Sequence, residues 1–211
     1  MEKSSKIKAV RKKGIERRNQ ILSTIRGLLR GGAINDIALG DVAKSANIPA
    51  SSIYHFYASV DEILVDLIEE FRKDVLMFME ERGQQFETDS WQALVDWLVE
   101  TTKDFYVEHH EYQQLILSGQ AKANIKLVDR DSDDLIAKLI VAAFNERFDL
   151  PRLPNFEQTS YIALEIVDLI FSLSVQKYGE IRKEYVEEAK LASKSYLRAY
   201  LPEILMAKVK A

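Results

Sequence analysis

The stretch Leu39-Gly40-Asp41-Val42-Ala43-Lys44-Ser45-Ala46-Asn47-Ile48-Pro49-Ala50-Ser51-Ser52-Ile53-Tyr54-His55-Phe56-Tyr57-Ala58-Ser59-Val60-Asp61-Glu62-Ile63-Leu64 decides how the rest of the chain is read. Leu39, Val42, Ala43 and Ala46 fall on one side of a helix over Leu39–Ala46. Asn47-Ile48-Pro49 breaks it, because Asn tolerates the left-handed exit of a helix. Pro49 disfavours helical geometry at Ile48 and suits the first turn of a new helix. A short second helix is predicted over Ala50–Tyr57, with Ile53 and either Phe56 or Tyr57 facing inward. That leaves Ala50, Ser51, Ser52, Tyr54 and His55 on or near an outer face. Small and hydroxylic side chains there let the backbone approach a DNA groove, and Tyr54 and His55 can reach phosphates. Ser59 with Glu62 then forms an S-x-x-E capping box that starts a third helix.

The run from Asp41 to Tyr57, followed by Ser59, Glu62, Ile63 and Leu64, resembles the DNA-binding domain of the tetracycline-repressor (TetR) family. The Ile53-Tyr54-His55-Phe56 core and the acidic, apolar helix start after it carry most of that likeness. The resemblance implies a homodimeric, all-helical transcriptional regulator. Two positions depart from the family pattern. Relatives place Thr or Ser before the second helix, where this chain has Ala38, and an alanine cap costs about 1 kcal/mol. Support from Asn35 or Asp36, or a shifted start, is expected instead. Relatives also carry a phosphate-binding Lys near the start of the fourth helix, where this chain has Val60, Asp61 and Glu62. Phosphate anchoring then leans on Lys44, Tyr54, His55 and the basic N-terminus.

Composition narrows the alternatives. An apolar share of 47% is ample for a core, and four prolines and eight glycines suit long helices. The absence of cysteine excludes disulfides and thiolate metal sites and is compatible with a reducing cytoplasm. No secretory signal or membrane span is expected. The net charge of −4 conceals an asymmetry: residues 1–57 hold 11 Lys/Arg against 4 Asp/Glu, and residues 58–211 hold 18 against 29. A basic head on an acidic body points to a polyanionic partner for the head alone.

Along the chain, residues 1–13 read as a basic arm, with partial helix an equal alternative. Lys3, Lys6, Lys8, Arg11, Lys12 and Lys13 there add salt-sensitive attraction to DNA. A first helix is predicted over about Ile15–Leu29, with Arg17, Arg18, Arg26 and Arg30 outside its apolar stripe. Val60–Arg82, Trp91–Val107, Asp133–Phe148, Phe156–Tyr178 and Ile181–Leu201 follow as helices, with Tyr112–Leu117 a shorter apolar piece. Gly119–Arg130 reads as a looser connection, Pro202 stops or restarts the last helix, and Lys208–Ala211 is expected to fray. The expected fold is all-α with about nine helices: a three-helix DNA-binding domain over 1–57 and a helical ligand-binding and dimerisation domain over 58–211. By the resemblance, the long helix from Val60 couples ligand to DNA, and the last two helices pair with a second copy.

Enzymatic and metal chemistry find little support. Asp129–Asp134 superficially resembles a calcium loop, but Asp134 and Ile140 stand where an EF-hand needs Gly and Glu. An acidic helix start is the simpler reading. His109 and His110 are adjacent and diverge on a helix, so no zinc site is expected. No P-loop, dinucleotide or hydrolase motif occurs, so neither catalytic residues nor cofactors are assigned. The DNA contacts assigned are Lys44, Ala50, Ser51, Ser52, Tyr54 and His55. For a small, mainly apolar effector the candidate contacts are Phe78, Trp97, Thr101, Phe105, Phe144, Tyr161, Glu165 and Asp168. The expected partners are double-stranded DNA, a second copy of the chain and that effector, with no membrane. The rival readings are a helical binding protein that has lost specific DNA binding, and a helical enzyme using its acidic pairs.

Overall fold

The computed structural model describes residues 2–31 and 34–208, with the side chains of 2–11, 123–124 and 126–133 outside the description. Among the described residues there are nine α-helices: α1 (Glu2–Gly31), α2 (Leu39–Ala46), α3 (Ala50–Tyr54), α4 (Val60–Gly83), α5 (Trp91–Glu108), α6 (His110–Tyr112), α7 (Ala123–Arg147), α8 (Phe156–Tyr178) and α9 (Lys183–Leu197). A 3₁₀ turn (Ile34–Asp36) precedes α2, and a π-helical turn (Gln113–Leu117) follows α6. The only extended pairing among these residues is a bridge between Phe148 and Ala207.

Local chemistry explains most boundaries. Asn47 sits at φ 52° and ψ 48°, and the Ile48 amide reaches back to the Ala43 carbonyl at 3.1 Å, closing α2 sharply. Ala38 offers no side-chain oxygen. The start of α2 is held instead by the Asp41 carboxylate, which accepts the Ala38 amide at 2.9 Å. The support expected from Asn35 or Asp36 is therefore corrected to Asp41, the reciprocal half of a capping box. At α4 the Ser59 hydroxyl accepts the Glu62 amide at 3.3 Å, while the Glu62 side chain accepts from Ala58 rather than from Ser59. Asn155 (φ 60°) and Gly179 (φ 78°) bracket α8 at the predicted limits.

Other boundaries differ from expectation. The N-terminal segment is helix from Glu2, so the helical alternative replaces the arm; the side chains of Lys3, Lys6, Lys8 and Arg11 lie outside the described residues. α3 ends at Tyr54, three residues early, and it is Tyr57 that turns inward while Phe56 stays 37% exposed. α7 begins at Ala123, not near Asp133, so the supposed loose connection is mostly helix. The acidic run Asp129–Asp134 lies within that helix, which corrects its reading as a helix start and removes the loop backbone a calcium site needs. α9 spans Lys183–Leu197. Ser174 fixes the turn before it, donating to the Glu180 carbonyl at 2.7 Å and accepting the Arg182 amide at 3.0 Å. After Pro202 the chain is irregular as far as the bridge at Ala207. Its carbonyls at Pro202 and Glu203 accept the Trp91 indole N–H, and Lys208 is pinned to the Arg147 carbonyl at 2.8 Å. Lys208 is thus hydrogen-bonded to the end of α7, and residues 209–211 lie outside the described residues.

The apolar core is continuous from Ile21, Leu22, Ile25 and Leu29 on α1 to the far end of the bundle. Polar contacts reinforce the join. Arg18 makes a two-pronged contact with Asp66, both distances 2.7 Å, and the buried Tyr57 hydroxyl donates to the same carboxylate. Arg26 reaches Glu70 at 2.9 Å, Asp74 at 3.0 Å and the Tyr112 oxygen at 2.6 Å, and Tyr112 in turn donates to Asp74 at 2.7 Å. Arg30 forks onto Glu111 at 2.7 and 3.0 Å, and the Glu111 side chain is fully buried. Three arginines outside the apolar stripe of α1 are therefore spent on α4 and α6.

These contacts set the acid response. Burial pushes the Asp66 and Glu111 carboxyls up, but the hydrogen bonds from Arg18 and Tyr57, and from Arg30, outweigh it and hold both below the usual carboxylate range. A lowered folded-state pKa contributes stability that is complete above the unfolded value, near 4, and is lost as pH falls through the folded value. Thermal unfolding is therefore expected to hold steady from pH 7 to 5 and to weaken below about 4. Glu111→Gln should make that acid slope shallower from a lower starting point. Arg30→Ala, which removes the two-pronged partner of a buried carboxylate but is itself 57% exposed, should cost about 1.5 kcal/mol in urea unfolding. The Arg17→Ala control should stay within about 0.5 kcal/mol, and equal losses for the two would contradict the assignment.

Candidate nucleic-acid interface and apolar cavity

α2 and α3 present one polar surface. Ile53 is completely buried and Tyr57 is 6% exposed, so α3 is clamped to the core from one side. On the other side Ala50, Ser51, Tyr54 and His55 are exposed, Tyr54 by 62%, and Ser52 is half-buried. Lys44 is exposed on α2. The His55 and Phe56 rings meet edge-on at 5.4 Å. α1 steadies this unit, because the Gln20 side-chain amide donates to the Ala46 carbonyl at 2.8 Å and satisfies the C-terminal end of α2. Lys44, Ala50, Ser51, Ser52, Tyr54 and His55 are thus brought together at one end of the molecule. Beside them, at the start of α4, the Lys122 ammonium contacts both Asp61 oxygens at 2.9 Å, a neighbour the sequence reading did not single out.

The second feature is a cavity of about 620 Å³ among α4, α5, α7, α8 and α9, within the range of small-molecule sites. Its walls are mainly apolar, with Val75 and Met79 from α4, Leu98 from α5 and Leu164 from α8. Of the candidate effector contacts, Trp97 and Phe144 line it. The other six do not. Phe105 is buried in an aromatic cluster with Phe71, Phe78 and Tyr112, at 5.6, 5.3 and 5.9 Å between ring centres. Phe78 also lies under the Arg82 guanidinium at 4.2 Å. Thr101 is buried outside the cavity wall. Tyr161 donates to Glu165 one turn along the same helix at 2.5 Å, and neither they nor Asp168 reach the cavity.

Two fully buried polar wall residues were missed by the sequence reading. Ser160 and Ser193 are 1% and 2% exposed and line the cavity, and neither hydroxyl has a hydrogen-bond partner among the described residues. Their signal was present: Ser160 falls on the stripe of Ala163, Leu164 and Val167, and Ser193 lies four residues from both Ala189 and Leu197. Thr102, another wall residue, is satisfied by donating to the Leu98 carbonyl at 2.9 Å. Among the described residues, no group of three His, Asp or Glu side chains is placed to hold a metal ion.

The profile of the family described as "Tetracyclin repressor-like, C-terminal domain" matches residues 89–201, more than half of the chain. Among solved structures, a TetR-family transcriptional regulator from Streptomyces coelicolor superimposes with a TM-score of 0.70 at 16% identity, covering 88% of this chain and 99% of that one. A TetR-family regulator from Syntrophomonas wolfei gives 0.66 at 14% identity, covering 85% and 94%. The regulator FadR from Bacillus subtilis, solved with stearoyl-CoA, gives 0.57 at 13% identity, covering 88% and 98%. At such identities the likeness is one of fold. No curated protein matches the sequence significantly. Matched over more than half of its length by that profile, the chain belongs to the tetracycline-repressor (TetR) family of transcriptional regulators.

Proposed function

We propose that this protein is an effector-responsive, DNA-binding repressor acting as a homodimer in the cytoplasm. In this reading residues 1–57 form the DNA-binding head and 58–211 the effector-binding and dimerisation body. The observation that carries it is the exposed face of α3, where small and hydrogen-bonding side chains stand outward while Ile53 and Tyr57 hold the helix in place. Ser51, Ser52, Tyr54 and His55 contact DNA, with Ala50 allowing close approach and Lys44 adding phosphate affinity. So few bidentate base readers make DNA shape and phosphate contacts weigh heavily. A small, mainly apolar effector in the 620 Å³ cavity shifts the dimer towards a head spacing that adjacent major grooves do not match. The stearoyl-CoA complex of the Bacillus subtilis neighbour supports an apolar effector for this fold.

Dimerisation through α8 and α9 is supported by apolar side chains left in solvent. Leu169 and Leu173 on α8 are 61% and 51% exposed, and Leu191 on α9 is 55% exposed. Of the described helices, α8 alone is long and apolar enough to cross a membrane. A partner copy accounts for that surface without one.

A second reading, a helical binding protein without specific DNA binding, is favoured by Val60 at the start of α4 and by the internal pairing of Arg18, Arg26 and Arg30. DNA binding separates the two. On DNA from upstream of its own gene, or on sites selected from a random pool, the protein should bind one sequence preferentially. Affinity should fall roughly 1,000-fold between 50 and 200 mM salt, and about tenfold in Tyr54→Ala. No preference over random DNA after selection would overturn the regulator reading. In sedimentation, the Leu169→Glu, Leu173→Glu double variant should run as a folded monomer where the parent runs as a dimer; an unchanged dimer would place the interface elsewhere.

A further inference from the structure

The polar inventory of the cavity restricts what it can hold. Ser160 and Ser193 are buried hydroxyls without partners among the described residues, in a mainly apolar wall. An unmet buried hydroxyl is costly, and a ligand that supplies its partner recovers that loss on binding. Wall residues that reach solvent, including Glu80, Gln84, Leu139 and Glu146, mark an opening between α4 and α7.

Charge on the described wall is limited to three side chains, two of them exposed at that opening and the third 20% exposed. The charged lining residues are Glu80, Glu146 and Arg147, and the Arg147 guanidinium already lies 3.4 Å from Glu146 and 3.2 Å from the Ala143 carbonyl. An anionic head at the mouth would meet two carboxylates and one engaged guanidinium. A charge of either sign pushed deeper would leave water with no counter-ion on the wall, which is strongly unfavourable.

We propose that the effector is an uncharged, largely apolar molecule whose hydroxyl or carbonyl oxygens pair with Ser160 and Ser193. The proposal rests on the reading of this cavity as the effector site. Its basis is the combination of enclosure, unmet hydroxyls and absent internal charge, and no one of these features alone.

Ten-carbon probes that differ only in their polar end test it on the full-length protein at pH 7.5. 2-Decanone, 1-decanol, decanoate and decylammonium compete with the neutral fluorophore N-phenyl-1-naphthylamine, and toluene, followed by thermal unfolding, serves as a probe without hydrogen-bonding groups. The ketone and the alcohol should displace the fluorophore at concentrations at least tenfold below those of the two ions. Ser160→Ala and Ser193→Ala should each weaken 1-decanol three- to tenfold, leave toluene within twofold, and leave the unliganded unfolding temperature unchanged or raised. Equal or tighter binding of decanoate or decylammonium would overturn the uncharged class while leaving the cavity as effector site. Serine variants that weaken toluene as much as decanol would overturn the pairing. Failure of every probe, toluene included, to bind the parent would overturn the proposal together with the reading of the cavity beneath it.

Discussion

The row of carboxylates on α4 works against its own helix. Asp66, Glu70 and Asp74 repeat every four residues, which stacks like charges on one face of the helix and disfavours it. Arg18 and Arg26, eight residues apart on α1, meet this row, and Arg30 extends the series to the buried Glu111. The pairs are partly shielded, so breaking them one partner at a time is costlier than for surface pairs. The same arrangement explains why the basic surplus of the N-terminal segment overstates its attraction for DNA. Three of its eleven cationic side chains are neutralised within the fold.

α4 joins the two features that matter for function. One part of its surface takes the arginines of α1 through Asp66, Glu70 and Asp74. Val75, Leu76, Met79 and Gly83, further along, wall the cavity. Tyr112 ties the arrangement to α6, since its hydroxyl sits between Arg26 and Asp74 while its ring packs on Phe71 and Phe105. Burial and the hydrogen bond to Asp74 push the Tyr112 hydroxyl well above its usual pKa, so it remains a donor across the physiological range. A displacement of α4 is therefore felt by α1 through fixed polar contacts as well as packing. In the function proposed above, this is the route by which occupancy of the cavity would reach α2 and α3.

The parts legible in the sequence were those with local causes. The turn at Asn47-Ile48-Pro49, the Ser59 cap and the limits of α8 all follow from residues that bias their own backbone. Pairing across the fold was not legible. Nothing within α1 distinguishes Arg26, which meets two carboxylates and a phenol, from Arg17, which contacts only Gln20 one turn away among the hydrogen bonds described. Gly119–Arg130 shows no clear apolar stripe, so the sequence predicts a looser connection where α7 begins, and tertiary context decides such segments. The cavity was legible only as a class. Favouring aromatic and acidic residues found Trp97 and Phe144 but passed over two serines on buried stripes, and it chose Tyr161 and Glu165, which satisfy each other one turn apart.

The claim on which the account turns is that α1 and α4 form one cooperative unit, so that the head answers to the cavity. Native-state hydrogen exchange on the unliganded protein tests it most directly, by comparing core amides of α1 at residues 21–29 with those of α4 at 63–75. A shared opening free energy for the two sets is expected, with a shared response to denaturant. Opening of α1 at a free energy lower by about 2 kcal/mol or more, with α4 still protected, would mean that the head unfolds by itself. The arginine contacts would then not join it to the body.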